Sequence, residues 1–337
     1  MDAKNEWVWH IGIDEAGYGP NLGPLVQAAV AIRVPREKFG ATPGEIVPWW
    51  DWLEDSTTRE KRKAGKKLLV DDSKEVFSAG KREEGLQRLE NALFMLGINP
   101  LDKNLWASLA PYWIEPAFEK NEPWHDPGLS FPEIELNPER QKQLDAWNTN
   151  LAAAGLGPIH VRIRMVFPKA FNLAVDQSGS KATVLTDGVG KFLQWGIGAG
   201  EGPGLIQSGD GVQAVVDKLG GRDRYRPWLG SLLGGWVTPG EESLGKSTYR
   251  ITFPERELAV SFESKADQNH MPVALASMVA KYLRERHMDA FNLWWQSKIE
   301  GVEPTAGYPQ DAKRFLEIVG PRLSELAVPM DVLWRQR

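Results

Sequence analysis

Three features of the sequence predict an α/β protein. Apolar runs of strand length recur along the chain, an apolar stripe at helical spacing lies near its end, and carboxylates stand where such elements start or stop. With 337 residues the chain can bury a large core as one domain or two.

The elements follow in order. Residues 8–13 read as a strand that runs straight into Asp14 and Glu15 and then into Gly17, Tyr18, Gly19 and Pro20. Residues 25–34 are a second strand, bounded by Gly23-Pro24 and Pro35, and the short connection makes the two neighbours in one sheet. Ser78 is placed to cap a helix whose leucines 86, 89, 93 and 96 recur at three- and four-residue intervals. Residues 98–157 are rich in Pro, Trp and polar side chains with weak periodicity and read as an insertion. A strand over 159–167 alternates apolar and basic positions, so one face should be buried and the other exposed. A helix over 180–195 buries Leu185, Val189 and Phe192, although Gly188 and Gly190 each weaken it by roughly 1 kcal/mol. Residues 212–216 form a strand ending at Asp217, 249–253 and 258–262 a hairpin, and 272–295 a long helix striped by Leu275, Val279, Leu283, Phe291 and Trp295.

Composition excludes several classes of chemistry. No cysteine is present, which removes disulfides, thiolate metal sites and cysteine nucleophiles, and five histidines leave little room for imidazole-rich zinc centres. The segment MDAKNEWVWH carries acids where a signal peptide needs a basic region and an apolar run, and no stretch approaches the roughly 18 apolar residues of a membrane span. The expectation is a soluble, cytoplasmic protein with no membrane partner. A net charge of −5 disfavours broad non-specific binding to nucleic acid but leaves room for a local patch. Basic clusters at 59–67, 222–226 and 281–286 read first as solvated faces, and the tryptophans of PWWDWL as local core.

Four acids, Asp14, Glu15, Asp217 and Asp267, fall at element ends. Neighbours on a straight strand point to opposite faces, so Asp14 and Glu15 serve one site only if the backbone turns after them, which Ala16-Gly17 permits. An all-carboxylate set suits magnesium or manganese, and four negative charges match two divalent ions. Two such ions about 3.5–4 Å apart stabilise the attacking and leaving oxygens of a phosphoryl transfer.

The segments around these acids resemble the type 2 ribonucleases H, the ribonuclease HII family. GIDEAGYGPNLGPL is similar to its opening G-x-D-E-A-G-R-G-P-x-x-G-P, and DDSK to its D-S-K segment. SKADQNHMPVALASMVAKYLRERHM resembles its acid followed by A-A-S-I-x-A-K-x-x-R-D-x-M, and AGYPQDAKRFL its G-Y-P or G-T motif. The motifs come in the family's order and span residues 11–316, separated by insertions.

The resemblance implies a ribonuclease H-like fold, a mixed central sheet flanked by helices, over residues 1–320, with 98–157 as an insertion and 321–337 as a C-terminal segment. It implies an endoribonuclease that cleaves the RNA strand of RNA/DNA hybrids, or incises ribonucleotide-containing duplexes, by a two-metal-ion mechanism with magnesium or manganese. Asp14, Glu15 and Asp267 become catalytic, metal-binding acids. The third position lies between Asp217 and Asp187; Asp217 is preferred because the segment before it already supplies the expected helix. Gly17 and Gly19 would bring main-chain groups to the ribose 2′-hydroxyl, Tyr308 would pack on a sugar, and Ser73, Lys74 and Lys281 would contact phosphates. Tyr18 stands where the family has arginine, which puts incision at a single ribonucleotide in doubt. Two alternatives stay open: a nuclease of the same fold acting on structured or damaged DNA, and a hybrid-binding protein without turnover. No protein partner is indicated.

Overall fold

The computed structural model describes residues 6–39, 43–115, 122–132, 135–199, 205, 210–254 and 256–336. Seven strands form its main sheet: β1 (Trp7–Ala16), β2 (Leu25–Pro35), β3 (Ile159–Val166), β4 (Gly211–Asp217), β5 (Trp236–Glu242), β6 (Lys246–Thr252) and β7 (Glu257–Glu263). Their order is β3-β2-β1-β4-β7-β6-β5. β1 runs parallel to β4, and β4 to β7, while the other neighbours are antiparallel. The sheet is therefore mixed, as expected.

Six longer helices accompany it: α1 (Arg82–Met95), α2 (Pro138–Ala153), α3 (Pro168–Ser178), α4 (Lys181–Gly196), α5 (Met271–Lys298) and α6 (Pro309–Val319). Alternation along the strands gives each face its own core. Val8, Ala28 and Val30 pack with Leu275, Val279 and Leu283 of α5 and with leucines of α1. Ile11, Ile13, Ala29 and Ala31 face Leu185, Val189 and Phe192 of α4 on the other side. A helical layer on each face of the sheet removes both apolar surfaces from water.

α5 starts directly on β1. A Cβ at Gly12 would stand 2.1 Å from the backbone nitrogen of Val273 and 2.2 Å from the carbonyl carbon of Pro272, so only glycine lets the helix approach here. That contact lies two residues before Asp14. It brings the segment carrying Asp267 to the same end of the sheet.

Several expectations change. β1 does not stop before its acids: Asp14, Glu15 and Ala16 remain paired with Ala28, Gln27 and Val26 of β2. Ser78 precedes a short 3₁₀ turn and makes no side-chain cap, and α1 begins at Arg82. The basic face of β3 is exposed only where the strand begins: His160 is exposed and Arg162 half-buried, but Arg164 is buried in ion pairs with Glu115 and Asp187. Strand β5 has no counterpart in the sequence reading; its Pro239 and a register shift before Glu242 disguise it. Residues 98–157, read as weakly periodic, include α2, whose Leu144 and Trp147 join the core under the sheet. The PWWDWL segment is core as expected, with Trp49 fully buried, and the 59–67 cluster is largely paired with Asp71, Glu75 and Glu60. Among the described residues no helix is long and apolar enough to cross a membrane.

Candidate functional site

The site begins where two parallel strands end together. The β1–β4 register closes at Ile13↔Val216, so Asp14 and Asp217 follow at adjacent carboxyl ends of neighbouring strands. Carboxyl ends of parallel strands are where open α/β sheets bind ligands. β7 then delivers the other acid. After Glu263 the chain turns at Lys265, whose φ of 59° is left-handed, and the N–H of Ala266 donates to Asp217 Oδ1 at 3.2 Å. Asp267 follows in the 3₁₀ turn Ala266–Gln268.

The four acids share one electrostatic environment. Burial pushes the Asp14 carboxyl well above the usual carboxylate range, and the Glu15, Asp217 and Asp267 charges add to it, against a hydrogen bond to Ser277. Glu15 is pushed up to about 7 by burial, then by Asp217 and Asp267, with Lys74 opposing. Asp267 also rises to about 7, through burial first and then Asp72 and Asp217. Asp217 is raised by burial, partly offset by backbone N–H donors and Lys74. Glu15 thus feels the same neighbours as Asp14 although it follows Asp14 in a continuous strand; the acids lie past the parallel partner, at the sheet's open end.

The DSKE segment closes one side. Asp72 caps the short helix Ser73–Val76, accepting from Lys74 N at 2.9 Å, and its carboxyl also hydrogen-bonds Asp267. Ser73 is buried and its Oγ accepts from Ser277 Oγ at 3.0 Å. For Lys74, burial disfavours the ammonium, but Asp72, Asp267, Asp14 and Asp217 outweigh it and hold its pKa above the usual value. Asp72 and Ser277 belong to this cluster and were not singled out from the sequence; both stand inside quoted motifs, but only the packing of the 73–76 turn on α5 joins them. Asp187 lies on α4, paired with Arg164 at 2.7 Å, and does not reach the acids.

The glycine turn follows β1 directly after the first two acids. Gly17 has φ of 89°, and a Cβ there would meet Arg284 Nε and the Pro24 carbonyl, each at 2.5 Å. At Gly19 nothing lies within 4 Å of where a Cβ would be, so that position faces open space. Tyr18 is half-buried, and burial and then Glu15 raise its pKa. Lys181 Nζ stands 4.8 Å from the ring centroid. Asn21 N and Leu22 N donate to Gly307 O at 2.8 and 3.3 Å, joining this turn to the one that carries Tyr308, which is 51% exposed. Lys281 is set apart: its ammonium pairs with Glu285 at 2.7 Å in an open groove of 1020 Å³ that also borders Phe77, Arg82 and Tyr308.

The donor set fits hard divalent ions. It is all oxygen, it is short of cations, and its raised proton affinities show charge that a cation would relieve. Among the described residues no three acids or histidines stand close enough to share one ion, so binding would have to draw these side chains inward.

No family model and no curated protein matches the chain. Among solved structures it is similar to the Archaeoglobus fulgidus ribonuclease HII of a PCNA complex, at 16% identity over 98% of this chain and 94% of that one, with a TM-score of 0.41. It is also similar to the ribonuclease H2 of Pyrococcus horikoshii OT3, at 15% identity over 96% and 92% of the two chains and a TM-score of 0.39. A third likeness is to Aquifex aeolicus RNase H3, at 14% identity over 98% and 72%, with a TM-score of 0.39.

Proposed function

We propose that this chain is a divalent-metal-dependent endonuclease that cleaves the RNA strand of RNA/DNA hybrids or of ribonucleotide-containing duplexes. The observation that carries this reading is the meeting, at one end of the sheet, of four buried or half-buried acids with a glycine turn tied to an exposed tyrosine. Together with the ordered motifs, it supports a site that distinguishes ribose from deoxyribose beside a phosphodiester.

Asp14, Glu15, Asp217 and Asp267 are the residues that would hold magnesium or manganese, which when bound supplies charge stabilisation to the attacking and leaving oxygens of a phosphodiester displacement. The remaining contributions come from the chain itself. Lys74 offsets part of the acids' repulsion for an approaching phosphate. The hydrogen bond between the Ser277 and Ser73 hydroxyls fixes the turn that carries Lys74. The open face at Gly19 lets backbone N–H groups come within hydrogen-bond reach of a ribose hydroxyl, and the Tyr308 ring offers a flat apolar surface to the neighbouring sugar.

One observation favours a second reading. The lack of any ligating trio among the described residues suits a protein that holds hybrids without cutting them. Matched RNA/DNA, DNA/DNA and RNA/RNA duplexes incubated with magnesium or manganese separate the possibilities. The proposal expects cutting of the RNA strand of the hybrid alone, leaving 3′-hydroxyl and 5′-phosphate ends. DNA cutting would assign a different substrate, and hybrid binding without cutting would assign the second reading.

A further inference from the structure

The C-terminal segment enters the site through a buried arginine. Arg335 is 1% exposed, and its Nη2 donates to the carbonyl of Gly17 at 2.5 Å and to that of Pro20. Its backbone N–H donates to Asn21 O at 2.8 Å, its carbonyl accepts from Asn21 Nδ2 at 3.2 Å, and Trp334 bridges to Leu22. On its other side the segment is anchored by Asn172 of α3. That side chain donates to the Trp334 carbonyl at 2.8 Å and accepts from the Gln336 N–H at 2.7 Å. Arg335 also lies over the Phe171 ring, 4.8 Å from its centroid.

The consequence for the turn follows from peptide geometry. In a trans peptide the C=O and the next N–H point in opposite directions. With the Gly17 carbonyl drawn toward Arg335, the N–H of Tyr18 faces the other way, and it has no acceptor among the described residues. Arg284 works from the same side, donating to the Leu22 and Ala306 carbonyls at 3.3 and 2.9 Å. Arg284 Nε and Arg335 Nε and Nη1 are buried without hydrogen-bond partners among the described residues, and Glu285 is the acid that acts on Arg284. Two buried guanidiniums under the turn add positive potential on the side of Tyr18 away from Glu15's charge, which favours an oxygen-rich, anionic strand there.

We propose that Arg335 is a positioning residue for substrate recognition: through the Gly17 and Pro20 carbonyls it presents the Tyr18 N–H to an oxygen of the RNA strand, making the 329–336 segment part of the site. This rests on the function proposed above and adds to it a residue that acts through the turn rather than by touching the substrate. The test uses full-length Arg335→Gln, Arg335→Lys and Asn172→Ala beside the parent, with KM and kcat on a continuous RNA/DNA hybrid, affinity for a DNA duplex, and amide exchange at Asn21. Arg335→Gln is expected to raise KM at least tenfold, with kcat within threefold of the parent and DNA-duplex affinity unchanged. Arg335→Lys should fall between, and Asn172→Ala, which removes no side chain that touches the turn but loosens the segment holding Arg335, should shift KM in the same direction. The Asn21 amide, bonded to Gly307 O at 2.8 Å, should exchange at least tenfold faster in Arg335→Gln. Should Arg335→Gln not fold, the same ordering of KM in Arg335→Lys and Asn172→Ala carries the test. Parent KM and parent exchange in folded variants, or equal weakening toward hybrid and DNA duplex, would overturn the proposal. A parent that cuts no hybrid would remove the function instead, and the exchange rates, which need no substrate, would still decide the clamp.

Discussion

Asp14 shows burial and charge pressing on one side chain. Its carboxyl is held toward the protonated form by burial and three acidic neighbours, so ionising all four acids in the metal-free protein costs stability. Asp14→Asn keeps the shape and removes one charge. We expect it to stabilise the metal-free protein at pH 8 by an amount on the order of 1 kcal/mol while abolishing hybrid cutting; thermal melting without divalent ions and the cutting assay check the two halves. A destabilised, active Asp14→Asn would contradict both. At Tyr18, where the family that the motifs resemble has arginine, Lys181 places an ammonium over the ring but lacks the planar fork that directs paired bonds to phosphate. The parent should therefore cut continuous hybrids better than it incises beside a lone ribonucleotide, and Tyr18→Arg should improve the second activity more. Rates on two labelled duplexes at matched salt measure this, and efficient parent incision unchanged by Tyr18→Arg would rule it out. The sequence pattern marks the acids because a strand end carrying two of them is chemically unusual. It does not mark Asp72, Ser277 or Arg335, whose partners lie across the fold: Arg335 reaches Gly17 from 318 positions away.

At the scale of elements, the start of α5 on β1 governs whether Asp267 meets Asp14. Gly12→Ala puts a methyl group within 2.1 Å of the helix backbone, a clash that rotamer change cannot relieve. Overpacking of this kind costs about 1–3 kcal/mol, and a backbone obstacle belongs at the upper end. We expect a lower melting temperature for Gly12→Ala and a smaller manganese-induced rise than in the parent, since displacing α5 moves Asp267; an unchanged melting curve would show that the helix yields freely. The long stripe of α5 and the apolar runs of β1, β2 and β4 were legible because burial imposes their periods. β3 was legible as a strand but not in its surroundings, since alternation shows that Arg164 is on one face and not that Glu115 and Asp187 cover it. α2 escaped because its core side is narrow, with Arg140, Leu144 and Trp147 its buried residues.

Across the whole molecule two buried titrations oppose each other. His10 is fully buried, and burial, followed by His270, lowers its pKa well below the usual 6.5. The unfolded chain therefore takes up this proton first, and stability is lost as pH falls below about 6.5. Glu15 and Asp267 have folded pKa values raised to about 7, so in the metal-free protein their contribution is lost as pH rises from the normal carboxylate range toward 7. A bound divalent ion reverses the second effect, because it requires these acids deprotonated. The difference between melting temperatures with and without manganese should thus shrink as pH falls from 8 to 5, as a fluorimetric series would show. A difference independent of pH would detach the acids from metal binding.

The proposal that the four acids hold divalent ions is tested most directly by manganese binding. Calorimetric titration of the parent, Asp217→Asn and Asp187→Asn at pH 8, with melting temperatures recorded alongside, compares the site with the acid on α4. Manganese should bind the parent and raise its melting temperature by a few degrees at about 100 times the dissociation constant. Asp217→Asn should lose both clearly, and Asp187→Asn should bind as the parent does. Parent-like manganese binding in Asp217→Asn, or no binding by the parent, would contradict the proposal.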